Sequence, residues 1–315
     1  MFRTSKQLKD NIANLSRTTG IPHIVLQRRY MLDRFLERIS RSKYRDAFIL
    51  KGGMLISDMV GVASRATQDL DTTVKGLPLT PDYMKKIVEE IAGTDIGDAV
   101  SFTVTSTAKI MEGAEYEGIR FGLSAAIQNM VVPIKVDIST GDVITPEEVG
   151  IDYKLMFEDR YIHILAYPLE TVLAEKIESM LTRADANTRM RDFYDMHILF
   201  QTYRPEINGK TLAAALSATA QKRKSLGNLD HAEDTLALLE SSETMKAMWK
   251  QYQKTTSYAA SFSWQDVMWS VRRLCSECDL QVKKASIRYE LNNIKREQQT
   301  ESDCPRHKKH YSQER

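Results

Sequence analysis

The feature that most constrains this chain is a pair of aspartates one residue apart, Asp69 and Asp71, that follow a Lys-Gly-Gly turn at residues 51–53. The surrounding QDLDTTV (68–74) alternates polar and apolar side chains and predicts a β-strand. On a strand, residues i and i+2 point to one face about 6.6 Å apart, so the two carboxylates project together. Such a pair can hold one or two divalent metal ions, which relieve the repulsion between like charges.

A third carboxylate from a neighbouring strand would complete a metal site of this kind. Asp137, at the end of the alternating run MVVPIKVDIST, is the best candidate for that ligand, and Asp142 is a weaker one. The ordinary alternative is that an Asp-x-Asp sequence marks a solvated strand end, a pattern that is frequent by chance.

The residues between the turn and the acids favour the metal interpretation. Gly52 and Gly53 would let backbone N–H groups approach a triphosphate, and a helix that begins just after them would add its positive N-terminal dipole. Paired glycines alone mostly form ordinary turns, so the prediction depends on the order of the features, with Arg65 and Thr67 just ahead of the acids. Lys51 and these four residues are therefore the candidate nucleotide-binding residues.

A second informative stretch is LAEKIESMLTRADANTRMRDFYDMHILF, residues 173–200. The ordinary interpretation is a salt-bridged pair of surface helices in which Arg191 and Asp195 satisfy each other; such a solvated pair adds little stability. The functional alternative is that Lys176 meets a nucleotide phosphate, while Asp192 handles a proton or orients the lysine.

Taken together, LKGGMLI...RATQDLD and LAEKIESMLTR...TRMRDFYD resemble the AbiEii-type nucleotidyltransferase toxins of bacterial abortive-infection and toxin–antitoxin systems, relatives of the MenT toxins. The resemblance spans roughly residues 25–200. It implies a DNA polymerase β-like nucleotidyltransferase fold, which is an α+β (α/β) domain with a mixed sheet, followed by a helical C-terminal domain. It also implies a Mg²⁺-dependent enzyme that transfers a nucleotide from an NTP to an acceptor.

The resemblance assigns active-site roles to six motif positions: Gly52, Gly53, Asp69, Asp71, Lys176 and Asp192. The glycines would cradle the phosphates, the two strand aspartates would hold Mg²⁺, and the last two would be the active residues of the second motif. Asp137 as a third metal ligand is an inference from strand geometry. One departure is Met54, where many nucleotidyltransferases have Ser or Thr; without that hydroxyl, the backbone, Lys51 or Arg65 must compensate.

The resemblance further implies that the protein acts as a toxin, that its acceptor is RNA, in particular the 3′ end of tRNA, and that a cognate antitoxin is encoded next door. Two alternatives stay open: an acceptor that is a protein or a small molecule, and a binding module that keeps the fold without catalysis. The formal charge of +2, from 44 Lys+Arg and 42 Asp+Glu, argues against binding nucleic acid by bulk electrostatics. RNA would have to be bound by a local patch.

The patterns along the chain predict four segments: N-terminal helices packed on the catalytic domain at 1–46, a nucleotidyltransferase core at 47–167, a helical C-terminal domain at 168–292 and a flexible tail at 293–315. Helical periodicity in the third segment predicts helices near 190–202, 210–223, 231–252 and 264–280, with Ser263 and Asp266 as a capping pair.

The sequence has only three cysteines, and an odd number cannot all pair within the chain, so a disulfide framework is not indicated. This favours a reducing cytosol. Cys275 and Cys278, with Cys304 and His307, have a superficial zinc spacing, but a helix followed by a loose tail is the favoured interpretation. The sequence has no apolar run long enough for a membrane helix, so we expect a cytoplasmic protein with no membrane partner.

Overall fold

The computed structural model describes residues 1–112, 116–278 and 280. The predicted tail at 293–315, and with it Cys304 and His307, lies outside the described residues. Within the described ranges, no helix combines the length and the apolar character that a membrane crossing requires.

A mixed β-sheet forms the centre of the structure. Its strands are β1 (Phe48–Lys51), β2 (Asp69–Val74), β3 (Ser101–Glu112), β4 (Tyr116–Ile127), β5 (Met130–Thr140), β6 (Val149–Lys154) and β7 (Tyr161–Ala166). Their order across the sheet is β3-β4-β5-β2-β1-β7-β6. The β2–β5 and β1–β7 pairs are parallel, and the other neighbouring pairs are antiparallel.

Helices surround this sheet and then continue without further strands in the described residues. The first four are α1 (Ser5–Thr19), α2 (His23–Arg41), α3 (Gly52–Val60) and α4 (Pro81–Ala92). After β7 follow α5 (Leu169–Arg183), α6 (Met190–Tyr203), α7 (Gly209–Lys222), α8 (Gly227–Asp230), α9 (Ala232–Ser241), α10 (Glu243–Thr255) and α11 (Trp264–Glu277). The predicted α/β sheet domain followed by a helical C-terminal region is confirmed.

The helices leave one face of the β3–β4–β5 part of the sheet open. α2 packs against β2, β5 and β7, and α4 packs against β3. Along β5 the apolar side chains from Met130 to Ile138 alternate with more accessible positions such as Lys135 and Asp137. Because side chains alternate across a strand, the polar set of β5 lies on the open face.

Two local predictions in the helical region had different outcomes. The capping pair is confirmed, since Ser263 and Asp266 form a reciprocal capping box at the start of α11. The single helix predicted at 231–252 is wrong, because Ser242 ends α9 and its side chain accepts a hydrogen bond from Met245 N–H to begin α10. The strands β6 and β7 were not predicted from the sequence.

A buried carboxylate of α2 ties this helix to β6 and the turn that follows it. Asp33 is fully buried and accepts hydrogen bonds from Arg29 Nε at 2.9 Å, from Tyr153 OH at 2.7 Å and from Met156 N–H at 2.8 Å. Both oxygens of this carboxylate therefore accept hydrogen bonds within the protein, and α2 is held on the β6 side through charge-assisted hydrogen bonds.

Substituting Asp33→Ala should lower the free energy of unfolding by roughly 3–5 kcal/mol, because it leaves the buried Arg29 guanidinium without its carboxylate. Urea denaturation followed by circular dichroism measures this loss. The control is Glu89→Ala on α4, where the pair with Lys85 is half exposed and the expected loss is under about 0.5 kcal/mol. Equal losses in the two variants would contradict this account of the buried pair.

Candidate active site on the open face of the sheet

Strand register brings three carboxylates to the same face. Asp69 and Asp71 lie on one side of β2, while Leu70 between them is fully buried on the other. β2 runs parallel to β5 with Asp71 directly opposite Asp137, and Asp69 opposite Lys135. The structure therefore places the predicted third carboxylate beside the Asp-x-Asp pair.

Asp71 and Asp137 belong to a row of four charged residues that crosses four strands. Lys51 is the register partner of Asp71 on one side, and Arg120 is the register partner of Asp137 on the other. The order across β1, β2, β5 and β4 is therefore cation, carboxylate, carboxylate, cation. The two inner carboxylates are adjacent like charges, and that arrangement requires compensation.

The outer cations do not compensate the acids equally. Arg120 donates to both oxygens of Asp137, with Nε–Oδ1 at 2.8 Å and Nη2–Oδ2 at 2.5 Å. Lys51 instead donates to Asp142 Oδ2 at 2.7 Å. Asp71 accepts only a long hydrogen bond of 3.4 Å from Gly53 N–H, and in the described part of the chain it forms no ion pair.

The electrostatic consequence is that the ionised form of the Asp71 carboxylate is disfavoured. Burial, together with the negative charges of Asp137 and Asp69, raises the pKa of Asp71 to about 6, although the nearby Lys51 lowers it in part. A carboxyl group with a pKa raised in this way is short of positive charge, which is the condition that a bound cation relieves.

Both glycines of the turn are required by close approach to neighbouring side chains. Gly52 has φ +66°, and a Cβ on it would lie 2.2 Å from Asp71 Oδ2. A Cβ on Gly53 would lie 2.5 Å from Thr67 Oγ1. The glycines therefore let α3 begin directly against the acidic strand, and their contact with phosphate stays a prediction.

Met54 is fully buried in the core. Its side chain thus faces away from the open site, and it does not line the cleft beside the acids. The Met54 side chain therefore contributes to the core beside α3, and other residues form the accessible surface of the site.

Arg65 and Thr67 lie beneath the surface, and this revises the expectation that they touch a nucleotide. Arg65 donates to Asp195 through Nε at 2.7 Å and Nη2 at 3.2 Å, and its third nitrogen donates to the Ala66 carbonyl at 2.7 Å. The Thr67 hydroxyl donates to the Asp69 carbonyl at 3.4 Å. Since both residues are almost fully buried, they support the acidic strand rather than present groups to a ligand.

The second motif forms one ionic network with Arg65. Lys176 on α5 donates to Asp192 Oδ1 at 2.6 Å and to Asp195 Oδ2 at 2.9 Å, both on α6. Asp195 is fully buried between Lys176 and Arg65. The alternative in which Asp195 satisfies Arg191 is therefore wrong, because two other cations occupy its carboxylate.

Charge pairing keeps this network ionised. Burial opposes the charge of the Lys176 ammonium, but the carboxylates of Asp192 and Asp195 outweigh it and raise the pKa of Lys176. Burial likewise opposes the Asp195 carboxylate, yet Arg65 and Lys176 lower the pKa of Asp195. Asp192 and Lys176 retain partial exposure, with 17% and 13% of their side chains accessible, so these two members of the network can meet a ligand.

Lys51 has its own set of supporting residues. Asp142 accepts from Lys51 Nζ at 2.7 Å, from Ser139 Oγ at 2.7 Å and from Tyr167 OH at 2.8 Å. Burial opposes the charge of the Asp142 carboxylate, but the positive charge of Lys51 and these three hydrogen bonds lower the pKa of Asp142. Asp142 is therefore a positioning residue for Lys51, since all three of these hydrogen bonds end on its Oδ2.

The carboxylates fit a hard divalent cation in chemistry and in register. Asp71 lacks a counter-ion, Asp137 lies opposite it, and Asp69 lies two residues earlier on the same face; oxygen ligands of this type suit Mg²⁺. In the described residues, no three His, Cys, Asp or Glu side chains are already gathered around a common point that could hold an ion. Asp137 would have to exchange its Arg120 partner to take part.

A shallow cleft opens beside these acids. Its lining residues are Lys51, Asp71, Thr72, Ile110, Gly118, Asp137, Ile138 and Ser139. The cleft thus combines one cation and two carboxylates with an apolar wall, which is the mixture that a nucleotide site needs.

Sequence reasoning missed Arg120, Asp195 and Tyr167 as members of the site. Arg120 sits in an unremarkable alternating strand, and its place opposite Asp137 follows only from the pairing of β4 with β5. Asp195 was considered, but with the wrong partner. The weak signal for it was the second aspartate of RDFYD, one helical turn after Asp192.

The cysteines within the described part of the chain do not form a metal site. Cys275 and Cys278 are buried in and after α11. Burial raises the pKa of the Cys275 thiol to about 12, so it remains protonated and packs as an apolar side chain.

The chain matches one protein family and is similar to several solved structures. The family described as "Nucleotidyl transferase AbiEii toxin, Type IV TA system" matches residues 34–270. No curated protein matches the chain. Among solved structures, JHP933 from Helicobacter pylori is 14% identical, with 86% of this chain and 97% of that chain covered and a TM-score of 0.45. An antigenic nucleotidyltransferase-like protein from Paracoccidioides brasiliensis is 16% identical, with coverage of 62% and 90% and a TM-score of 0.38.

The raised pKa of Asp71 makes stability depend on pH. Since the folded protein holds this proton up to about pH 6 and the unfolded chain releases it near its ordinary pKa of 3.8, stability falls as pH rises through this window. Asp71→Asn should therefore raise the free energy of unfolding at pH 7 by about 2–3 kcal/mol, measured by urea denaturation in EDTA, with no gain below about pH 4. Asp142→Asn is the opposite control: because the pKa of Asp142 is lowered, its loss should destabilise the protein at pH 7.

A matched pair of glycine variants tests the close approach at Asp71. Gly52→Ala and Gly76→Ala both place a side chain at positive φ, +66° and +72°, but only the first meets Asp71; nothing lies within 4 Å of the second. Gly76→Ala should lose about 1–2 kcal/mol of stability from the left-handed backbone alone, and Gly52→Ala should lose more because its Cβ also meets Asp71. Only Gly52→Ala should also abolish Mn²⁺ binding measured by calorimetry. Intact Mn²⁺ binding in Gly52→Ala would contradict the assignment of Asp71.

Proposed function

The chain belongs to the AbiEii family of nucleotidyl transferase toxins of type IV toxin–antitoxin systems, and we propose that it uses Mg²⁺ to transfer a nucleotide from an NTP to RNA, at the 3′ end of tRNA. The observation that carries the proposal is the in-register placement of Asp71 and Asp137 on parallel strands, with Asp69 on the same face and Lys51 alongside.

Asp69, Asp71 and Asp137 would hold Mg²⁺ on the open face of the sheet. When bound, Mg²⁺ neutralises the triphosphate and lowers the pKa of the acceptor hydroxyl. Support for this assignment comes from the raised pKa of Asp71, since a carboxylate short of positive charge gains most from a cation.

Lys51 and Lys176 are the proposed phosphate-binding cations. Lys51 is held by Asp142 at the end of β1, so its ammonium is positioned beside Asp71 before a nucleotide arrives. Lys176 is held between Asp192 and Asp195 in the same way. Fixed charges of this kind stabilise the charge that develops on a transferring phosphoryl group without reorganisation during the reaction.

The reaction forms one P–O bond and breaks another. The acceptor hydroxyl oxygen attacks the α-phosphorus of the NTP, the bond between the α-phosphorus and the bridging oxygen breaks, and pyrophosphate leaves. The proton of the hydroxyl must pass to a base. Asp192 is suited to orient Lys176 and, through its exposed part, to receive that proton.

The open face of β4 and β5 supports a polyanionic acceptor. It carries Lys135 and Arg120 next to the acids, and no helix of the described residues covers it. The choice of RNA and of the tRNA 3′ end follows from the family resemblance. The proposal also includes action in the cytoplasm and neutralisation by an antitoxin that is encoded next door. A core at 47–167 and a helical domain at 168–292 would each supply half of the site.

Asp71→Asn should abolish label transfer from α-³²P NTPs, with a loss of roughly a hundredfold or more, and should abolish toxicity in cells, because it removes the central carboxylate. The control is Asp152→Asn on β6, whose side chain is 77% exposed and distant in the sheet order from the acids. Full toxicity of the Asp71 variant without label transfer would contradict a catalytic toxin and favour a non-catalytic binding module, whereas normal label transfer would contradict the assignment of this site.

The acceptor is identified in the same assay. Wild-type protein is incubated with each labelled NTP and total RNA, total protein or a small-molecule extract, and the label should appear in the RNA fraction. Periodate oxidation of the 3′-terminal ribose should block it. Label in the protein or small-molecule fraction would overturn the RNA acceptor while leaving nucleotide transfer in place.

A further inference from the structure

Arg120 occupies both oxygens of the carboxylate that the proposed metal site needs. Its guanidinium forms a two-bond fork with Asp137 at 2.8 and 2.5 Å. A planar fork of this kind matches a carboxylate well, and a lysine cannot reproduce it. Asp137 can therefore offer oxygens to a cation only when Arg120 releases at least one of them.

The surroundings of Arg120 allow that release. Its side chain is 41% exposed. Its same-face neighbours along β4 are Gly118 and Gly122, and the side chains of Ser106 and Ile110 on β3 lie over these two glycines. Gly118 also lines the cleft that contains Asp71 and Asp137. The guanidinium is therefore confined along the strand but accessible to solvent, and it can leave Asp137 in that direction.

The other Arg–Asp fork in the site is built in the opposite way. Arg65 is 3% exposed, its partner Asp195 is fully buried, and its remaining nitrogen is held by the Ala66 carbonyl. A buried arginine with all three nitrogens engaged is fixed, because its release would leave charges unpaired in the interior. Only the Arg120 fork is therefore placed to exchange partners.

Charge around the cleft supplies the reason for an exchange. Among the described residues, Asp69 and Asp71 have no ion pair, so a divalent cation gains most by lying between them and Asp137. Once Asp137 turns to that cation, Arg120 loses its partner beside the point where a triphosphate would enter. Arginine binds phosphate oxygens with the same fork that it uses for a carboxylate.

Given the proposed transfer reaction, on which this assignment rests, we propose that Arg120 exchanges partners during substrate binding: it competes with the divalent cation for Asp137, and after release it binds the triphosphate of the NTP. Arg120 is thus a barrier to the cation alone and a ligand for the nucleotide, which couples the binding of the two.

The test measures binding of Mn²⁺ alone by calorimetry and electron paramagnetic resonance, and then NTP binding at saturating Mn²⁺. Arg120→Gln should bind Mn²⁺ alone about tenfold more tightly than wild type and the NTP about tenfold more weakly. Arg120→Lys keeps the charge but loses the fork, and it should also bind Mn²⁺ more tightly than wild type. Thermal unfolding confirms that each variant is folded.

The control is Lys135→Gln, which removes one positive charge from the same face, opposite Asp69. It should change Mn²⁺ affinity by less than about twofold, because Lys135 forms no ion pair with the acids. The exchange would be overturned if Arg120→Gln and Lys135→Gln raised Mn²⁺ affinity equally while Arg120→Lys bound Mn²⁺ like wild type. That result would mean that only the loss of a positive charge near the acids matters. Unchanged NTP affinity in Arg120→Gln would also overturn it.

Failure of the exchange is distinguishable from failure of the proposed function. If Asp71→Asn abolishes transfer while the Arg120 variants bind Mn²⁺ and NTP like wild type, the exchange is wrong and nucleotide transfer stands. If Asp71→Asn transfers label normally, nucleotide transfer at this site is wrong, and the exchange that rests on it is wrong as well.

Discussion

The site depends on one buried carboxylate, Asp195. It is fully buried and lies between the guanidinium of Arg65 and the ammonium of Lys176, and a buried charge is tolerated only with such partners. Arg65 precedes β2, Lys176 belongs to α5, and Asp195 belongs to α6. The ion pairs therefore fix the approach to the acidic strand relative to the helices that carry the second motif.

The two ionic groups of the site have opposite characters. The Arg65 network contains two cations and two carboxylates, and it holds Lys176 in place at no net charge. On the sheet, by contrast, Lys51 and Arg120 pair with Asp142 and Asp137 and leave Asp71 without a counter-ion. A carboxylate that raises the free energy of the folded protein at neutral pH is typical of a binding site, where a ligand supplies the missing charge.

Local patterns predicted a large part of this arrangement. The alternation of QDLDTTV placed Asp69 and Asp71 on one face, the three β-like runs before residue 141 became β3, β4 and β5, and the helical periodicity located most of the C-terminal helices. Prediction failed where a local signal was weak or ambiguous. The strands β6 and β7 are short, and the break between α9 and α10 depends on a single serine cap.

The sequence alone determined the chemistry of the site: which residue types are present, the common face of the Asp-x-Asp pair, and the two motifs that carry the family resemblance. Only the tertiary structure decided the partners. Asp71 meets Asp137 through strand register, Asp137 binds Arg120, and Arg65 binds Asp195 at a separation of 130 residues. Periodicity reports which face a side chain takes within its own strand or helix, whereas contacts between distant segments follow from how those elements pack.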